Sequence, residues 1–158
     1  MSKEIVAVFL CGKTYGFEVS RMLGIENYVA PTRMGTEPDL LEGFVMIRGE
    51  QIPVVDVKKR LVLPKTPVTE ETKLLLLNTE HGRIGVVADG VNDIFRVEGE
   101  DLQPFPQLMN AENTNYGEYV ARKGKELVIV IHPSRLLNED EWTLFGQYKD
   151  GLEEKDEA

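Results

Sequence analysis

An all-β fold, two small barrels packed together with a helix at the C-terminal end, is what this sequence predicts. Short apolar runs rich in β-branched residues recur along the chain, each bounded by Gly, Pro, Asn or Asp, the pattern of strands in a sandwich or barrel. Helical spacing of apolar residues is confined to the C-terminal segment. The chain also repeats its own pattern once.

The strand-like runs are residues 5–11, 15–19, 43–47, 52–57, 73–78, 84–88 and 127–132. Lys13-Thr14 and Glu80-His81-Gly82-Arg83 read as hairpin turns between them. Pro53 is awkward in a central strand, so one ladder edge beside it is expected to be free or bulged. Residues 64–72 (PKTPVTEET) are polar, proline-bearing and aperiodic, a linker or exposed loop. At the C-terminal end Asn138 can cap a helix and three acids follow in its first turn. Trp142, Phe145 and Tyr148 then fall at a spacing of three.

The repeat pairs residues 15–25 (YGFEVSRMLGI) with residues 84–94 (IGVVADGVNDI), at an offset of 69. Later in each half, Val54-Val55 runs into Arg60-Leu61 as Ile129-Val130 runs into Arg135-Leu136, at an offset of 75. Units of this size are marginal alone, so the two are expected to share apolar surface. The expected division is a domain over 5–141, with halves 5–64 and 72–137 and an exchange of terminal strands left open. A C-terminal helix and acidic tail over 142–158 follows.

Composition narrows the function. With 158 residues, 42% hydrophobic and 28% charged, the chain has the make-up of a soluble globular protein. It has no apolar run near the roughly 20 residues that span a bilayer. The N-terminal residues carry no signal-peptide pattern and Cys11 is the single cysteine, so a cytosolic location without disulfides is expected. Net charge is −9 from 18 basic and 27 acidic residues. Residues 138–158 hold eight acids against two lysines, a charge of −6, which leaves the body near neutral at −3. That balance disfavours nucleic acid and anionic membrane as partners and leaves a protein or a small ligand.

The chemistry-bearing motifs do not assemble into a catalyst. Gly12-Lys13-Thr14 imitates the end of a phosphate-binding loop, but Ala7 stands where its first glycine is needed and a strand follows where a helix should. Gly82, Gly85 and Gly90 lack dinucleotide-fingerprint spacing. Cys11, His81 and His132 are too scattered for a metal site, and Ser2, Ser20 and Ser134 lie on no nucleophile elbow. Asp89 and Asp93 read as turn residues bonding to backbone; an enzyme reading would need them to converge with Asp56 in a cleft. No enzymatic activity, cofactor or metal is expected. The positive signal is residues 46–56 (MIRGEQIPVVD), which set Arg48-Gly49 at a hairpin tip between apolar strands, an arrangement suited to protein docking.

With these residues the sequence resembles the CheW family of bacterial chemotaxis couplers. The shared pattern runs through Phe9, Tyr15-Gly16, Val19, Met22, Ile25, Val29, Pro31, Arg33, Pro38 and Gly43. It continues through Ile47-Arg48-Gly49, Pro53-Val54-Val55-Asp56 and residues 85–91 to Pro104, Pro106, Tyr116 and Arg135-Leu136-Leu137. The resemblance implies two five-stranded β-barrels around a shared core and a non-catalytic adaptor. It implies that this adaptor joins the cytoplasmic helical tip of a methyl-accepting chemoreceptor to the regulatory domain of a CheA-type histidine kinase, in arrays at the inner membrane and without inserting into it. Carried over by position, Val19, Met22, Ile25, Gly43, Arg48 and Val91 line or support the receptor groove, and Arg33, Leu108 and Met109 contact the kinase. Leu108 stands where the family usually has an aromatic residue. Gly24 replaces a usual glutamate, with Glu26 nearby; Tyr119 and Ala121 replace a Gly-x-Gly; and His132-Pro133 replaces an ordinary strand exit. The alternatives are a small-ligand-binding double barrel, marked by a buried polar pocket between the halves, and a CheW-like scaffold serving a pathway other than motility.

Overall fold

Alternating apolar residues send successive side chains to opposite faces of a strand, and that alternation builds the molecule. The computed structural model describes residues 2–106 and 115–157, with side chains of the last helix as far as Leu152. Within these residues the strands are β1 (Ser2–Leu10), β2 (Lys13–Glu18), β3 (Met22–Asn27), β4 (Leu41–Ile47), β5 (Glu50–Val55) and β6 (Lys73–Thr79). They continue as β7 (Gly82–Ala88), β8 (Gly90–Glu98), β9 (Leu102–Pro104), β10 (Gly117–Lys123) and β11 (Glu126–Ile131). The helices are α1 (Val57–Arg60) and α2 (Glu139–Glu157), with 3-10 turns at Val19–Arg21, Gly99–Asp101 and Pro133–Arg135.

Two sheets result, in the orders β8-β1-β2-β11-β10-β9 and β3-β6-β7-β5-β4. Exchanging each strand for its counterpart in the other half turns the second order into the first, apart from the three-residue β9. The internal repeat is therefore structural, and each half lends its leading hairpin to the other's sheet. Each lent hairpin is joined on both sides: β1 antiparallel to β8 and β2 parallel to β11 through Tyr15 and Gly16, and β6 antiparallel to β3 and β7 parallel to β5 through Gly85 and Val86. The fold is all-β with a C-terminal helix, as expected. Where the resemblance implied five strands per unit, the first sheet has six. The apolar runs foreshadowed seven strands and missed β3, β8, β9 and β10. Three of these border a sheet edge, and their outward residues are polar or exposed.

Between the sheets lies the main core. Val6, Val8 and Leu10 of β1, Tyr15 and Phe17 of β2, Leu75 and Leu77 of β6 and Ile84 and Val86 of β7 all point into it. Their intervening neighbours point the other way and form two smaller clusters: Val45, Ile52, Val54, Leu74 and Leu76 on one sheet, and Ile5, Val97, Ala121 and Val130 on the other. Each large aliphatic so buried contributes about 1.5–3 kcal/mol.

The turns refine the sequence reading. The first hairpin turns at Cys11-Gly12, whose φ values are 53° and 76°, the left-handed pair that matches strand twist. Lys13 and Thr14, expected to form that turn, are already paired with Leu10 and Phe9. The third hairpin turns at Glu80-His81, with Gly82 and Arg83 paired in β7. Pro53 lies in β5 just before the parallel ladder with β7 begins at Val54, so its missing N–H breaks no bond there. On the other side the β4–β5 ladder is irregular between Leu41 and Gly43.

Helix α2 begins with a reciprocal cap: the Glu141 amide donates to Asn138 Oδ1 at 2.8 Å and the Asn138 amide to Glu141 Oε1 at 2.9 Å. Trp142 and Phe145 enter the main core, and Tyr148 stacks on Phe44 at 6.1 Å. Beyond Leu152 the sequence is EEKDEA, with no apolar group larger than alanine. Ending the chain after Leu152 is therefore expected to change unfolding free energy by less than about 0.5 kcal/mol, as measured by urea titration. A larger loss would show that the terminal residues bind the body.

Candidate interaction surface

At two edge strands the main core reaches solvent. β3 ends one sheet and β8 the other. Residues paired across a ladder share a face, so Met22 and Ile25, opposite Leu77 and Leu75, face the core side of their sheet. Val91 and Ile94, opposite Val8 and Val6, do the same on the other sheet. Val19, Met22 and Val91 are half-buried against the main core. Ile25 and Ile94, with no outer neighbour to cover them, are 44% and 60% exposed. Ile94 was not singled out from sequence, because a lone isoleucine between Asp93 and Phe95 shows its face only once its register with Val6 is known.

A polar cluster holds the Val19–Arg21 turn in place. Glu18 is buried, and its carboxylate accepts a 2.7 Å hydrogen bond from the Tyr119 hydroxyl and lies 3.6 Å from Lys3 and 3.7 Å from Arg21. Burial pushes its pKa up, but Tyr119, Lys3 and Arg21 outweigh that and hold it below the ordinary carboxylate value. The same burial and the Glu18 carboxylate raise the pKa of Tyr119. Arg21 also pairs with Glu118 at 2.8 Å. Tyr119, a departure from the family pattern, thus satisfies a buried carboxylate. Ala121 is fully buried in its sheet's smaller cluster. His132, another departure, accepts the Ser134 amide on Nδ1 and so caps the last 3-10 turn.

Arg48 stands exposed at the β4–β5 tip with φ 52°, followed by Gly49 at 81°. Among the described residues it has no ion-pair partner. It borders a hollow of about 200 Å³ with Leu23, Glu26, Glu50 and Arg83, the last two paired at 2.8 Å. A Cβ on Gly24 would sit 3.7 Å from Glu26 Oε1, so the Glu26 carboxylate reaches the space above Gly24. β3 therefore joins both features, with Met22 and Ile25 on the core side and Leu23 and Glu26 beside Arg48.

The remaining residues are placed apart. Gly43 is buried under the segment carrying Pro31 and Thr32, where it supports rather than contacts. Arg33 is exposed beside a second hollow of about 360 Å³ that also contains Glu42, Asp56, Lys58 and Lys65. Leu108 and Met109 lie outside the described residues. The three aspartates do not form one group. Asp56 accepts the Lys59 amide at 3.0 Å, Asp93 pairs with Lys123 at 2.8 Å, and Asp89 accepts Cys11 N–H at 2.7 Å, Thr66 at 2.6 Å and Lys58 at 2.5 Å.

Burial, assisted by Asp56, pushes the Glu42 carboxyl up to about 7, against the pull of Lys58, Arg33 and Lys65. A folded-state pKa above the unfolded one adds stability at low pH that is lost as pH rises through about 7. Unfolding free energy of the native chain, relative to Glu42→Gln, is expected to fall between pH 5 and 8 by an amount on the order of 1 kcal/mol after solvent screening. Parallel pH profiles for the two proteins would contradict it.

Residues 4–141 match the family model of the CheW-like domain. The chain belongs to that family. The chemotaxis protein CheW of Bacillus subtilis is 26% identical over 139 residues, covering 87% of this chain and 88% of that protein. The chemotaxis protein CheW of Klebsiella aerogenes is 25% identical over 144 residues, covering 91% and 87%. Among solved structures, the scaffolding protein TtCheW from Thermoanaerobacter tengcongensis superposes with a TM-score of 0.80 at 23% identity. That match spans 89% of this chain and 96% of the other. The CheW-like match stops at Glu141, so Trp142, Phe145 and the rest of α2 lie beyond it.

Proposed function

We propose that this CheW-like chain is a non-catalytic adaptor that couples the cytoplasmic helical tips of chemoreceptors to the regulatory domain of a CheA-type histidine kinase, working at the cytoplasmic face of receptor arrays. The observation that carries the reading is the apolar opening at β3 and β8 in a chain matched by the family across residues 4–141. A helix presents apolar residues every three or four positions and fits such an opening. Val19, Met22, Ile25 and Val91, with Ile94 added, form the apolar part of the receptor contact, and Arg48 supplies an unpaired charge beside it. Arg33, Leu108 and Met109 are assigned to the kinase side.

The test is Arg48→Glu. An exposed turn residue without a bonding partner contributes little to folding, so the melting temperature is expected to stay unchanged. Charge reversal at a contact is expected to cost about 2 kcal/mol or more of receptor affinity, read by pulldown of a receptor cytoplasmic fragment with the kinase present. Wild-type capture by the folded variant would remove Arg48 from the contact.

A further inference from the structure

The hollow of about 360 Å³ beside Arg33 has no lining residue in common with the Arg48 hollow or with the apolar residues Val19, Met22, Ile25, Val91 and Ile94. It is lined by the segment after β3, the start of β4, the start of α1 and the loop that joins the two halves. Its cations are unequally occupied. Lys58 is committed to Asp89 and Thr66. Arg33 and Lys65 have no ion-pair partner among the described residues. Asp56 spends one carboxylate oxygen on the Lys59 amide as the cap of α1. Glu42 has no hydrogen-bond partner among the described residues, and Tyr28 and Thr66 add hydroxyls to the wall.

On a chain whose net charge is −9, two cations that make no close ion pair among the described residues stand in one recess with a carboxyl that makes no hydrogen bond there, an arrangement that suits an anionic ligand. A bound cation would face both Arg33 and Lys65 across the recess. A bound anion satisfies them, and a carboxyl that keeps its proton adds a donor rather than a repelling charge.

We propose that this hollow is a binding site for a carboxylate, held between Arg33 and Lys65 and against the Glu42 carboxyl. The carboxylate is an acidic side chain of a partner protein or a small free polycarboxylate; the chemistry is shared. The site shares Arg33 with the kinase side assigned above but has no residue in common with the apolar receptor contact or with the Arg48 hollow, so it goes beyond that reading.

The groups facing Glu42 are Asp56 and Lys58 from α1, Arg33 from the segment after β3 and Lys65 from the joining loop. Burial keeps its carboxyl protonated up to about pH 7, and a bound anion reinforces that by like-charge repulsion. Above that pH, binding must take up a proton, so affinity falls with a slope approaching tenfold per pH unit.

The experiment uses the full chain and calorimetric titration with succinate, with an acetylated triglutamate peptide and with inorganic phosphate, at pH 6 and pH 8.5. Expected is saturable binding of succinate or the peptide, weaker by about tenfold in Arg33→Ala or Lys65→Ala and weaker at pH 8.5 than at pH 6. Glu42→Gln, whose amide donates at any pH, is expected to bind equally at both. Tighter binding of the peptide identifies a partner's side chain as the source, and tighter binding of succinate a free small acid. No saturable binding of either, preference for phosphate, indifference to Arg33→Ala and Lys65→Ala, or a pH profile that Glu42→Gln leaves unchanged would each overturn the assignment.

Discussion

Replacing Trp142 by alanine is expected to destabilise the protein by about 3–5 kcal/mol, the usual cost of emptying a large buried aromatic site. Trp142 is 8% exposed and sits in the main core one turn into α2. Its ring stacks on His81 at 4.8 Å and meets Phe145 edge-on at 6.2 Å, while Nε1 donates to the Ser134 carbonyl at 2.9 Å. It therefore ties the helix to the β6–β7 turn and to the exit of β11 at once. Alanine removes all three contacts, and the polar recess on one side of the ring would admit water to the space. Helix α2 would then be held at its start chiefly by the Arg60–Glu141 pair at 2.5 Å and the Asn138 cap. Urea titration with near-ultraviolet dichroism is the measurement. Trp142→Phe should recover part of the loss, because phenylalanine keeps an aromatic ring in the site but is smaller than the indole and forfeits the bond to Ser134. A loss below about 1 kcal/mol for Trp142→Ala would mean that α2 is an appendage rather than part of the core.

How far the sequence disclosed this arrangement depends on what each residue does. β1, β2, β4, β5, β6, β7 and β11 were legible because their inward residues are apolar and most of their neighbours are buried on the second face of a curled unit. β3 and β8 were not, because an edge strand needs only one apolar face, and each carries an extra residue in its ladder (between Met22 and Gly24 in β3, and between Val91 and Ile94 in β8) that breaks simple alternation. The repeat at residues 15–25 and 84–94 was visible. The exchange of hairpins stayed open from sequence, since which sheet a hairpin joins is decided by long-range pairs such as Tyr15 with Ile129. Of the candidate surface, the exposed place of Arg48 was readable from its turn, and Val19, Met22, Ile25 and Val91 were suggested only through resemblance. Ile94 and Glu26 needed register, and Glu42 needed the loop carrying Lys65 brought against the segment carrying Arg33.

Gly43 gives the second large effect, and it separates support from contact within the set of residues the resemblance assigns to the receptor groove. Its φ is 143°, a region that L side chains rarely enter. A Cβ there would stand 2.5 Å from the Thr32 carbonyl oxygen and 3.0 Å from Pro31 Cβ. The obstacle is backbone, and that backbone is clipped to β4 by two hydrogen bonds, Thr32 N–H to the Phe44 carbonyl at 2.8 Å and Phe44 N–H to the Thr32 carbonyl at 3.0 Å. Gly43→Ala must therefore both strain its own φ, at about 1–3 kcal/mol, and push the Pro31-Thr32 segment off the sheet edge. A total loss of about 2–4 kcal/mol is expected, against almost none for Arg48→Glu. Displacing Thr32 also displaces Arg33, so binding of succinate or the acidic peptide should weaken along with stability. The β4–β5 tip carrying Arg48 is at the far end of the strand and should keep its turn. Receptor capture lost in Gly43→Ala but restored by a stabilising osmolyte would mark Gly43 as structural. Capture lost with stability intact would make it a direct contact, contrary to its burial beneath Thr32.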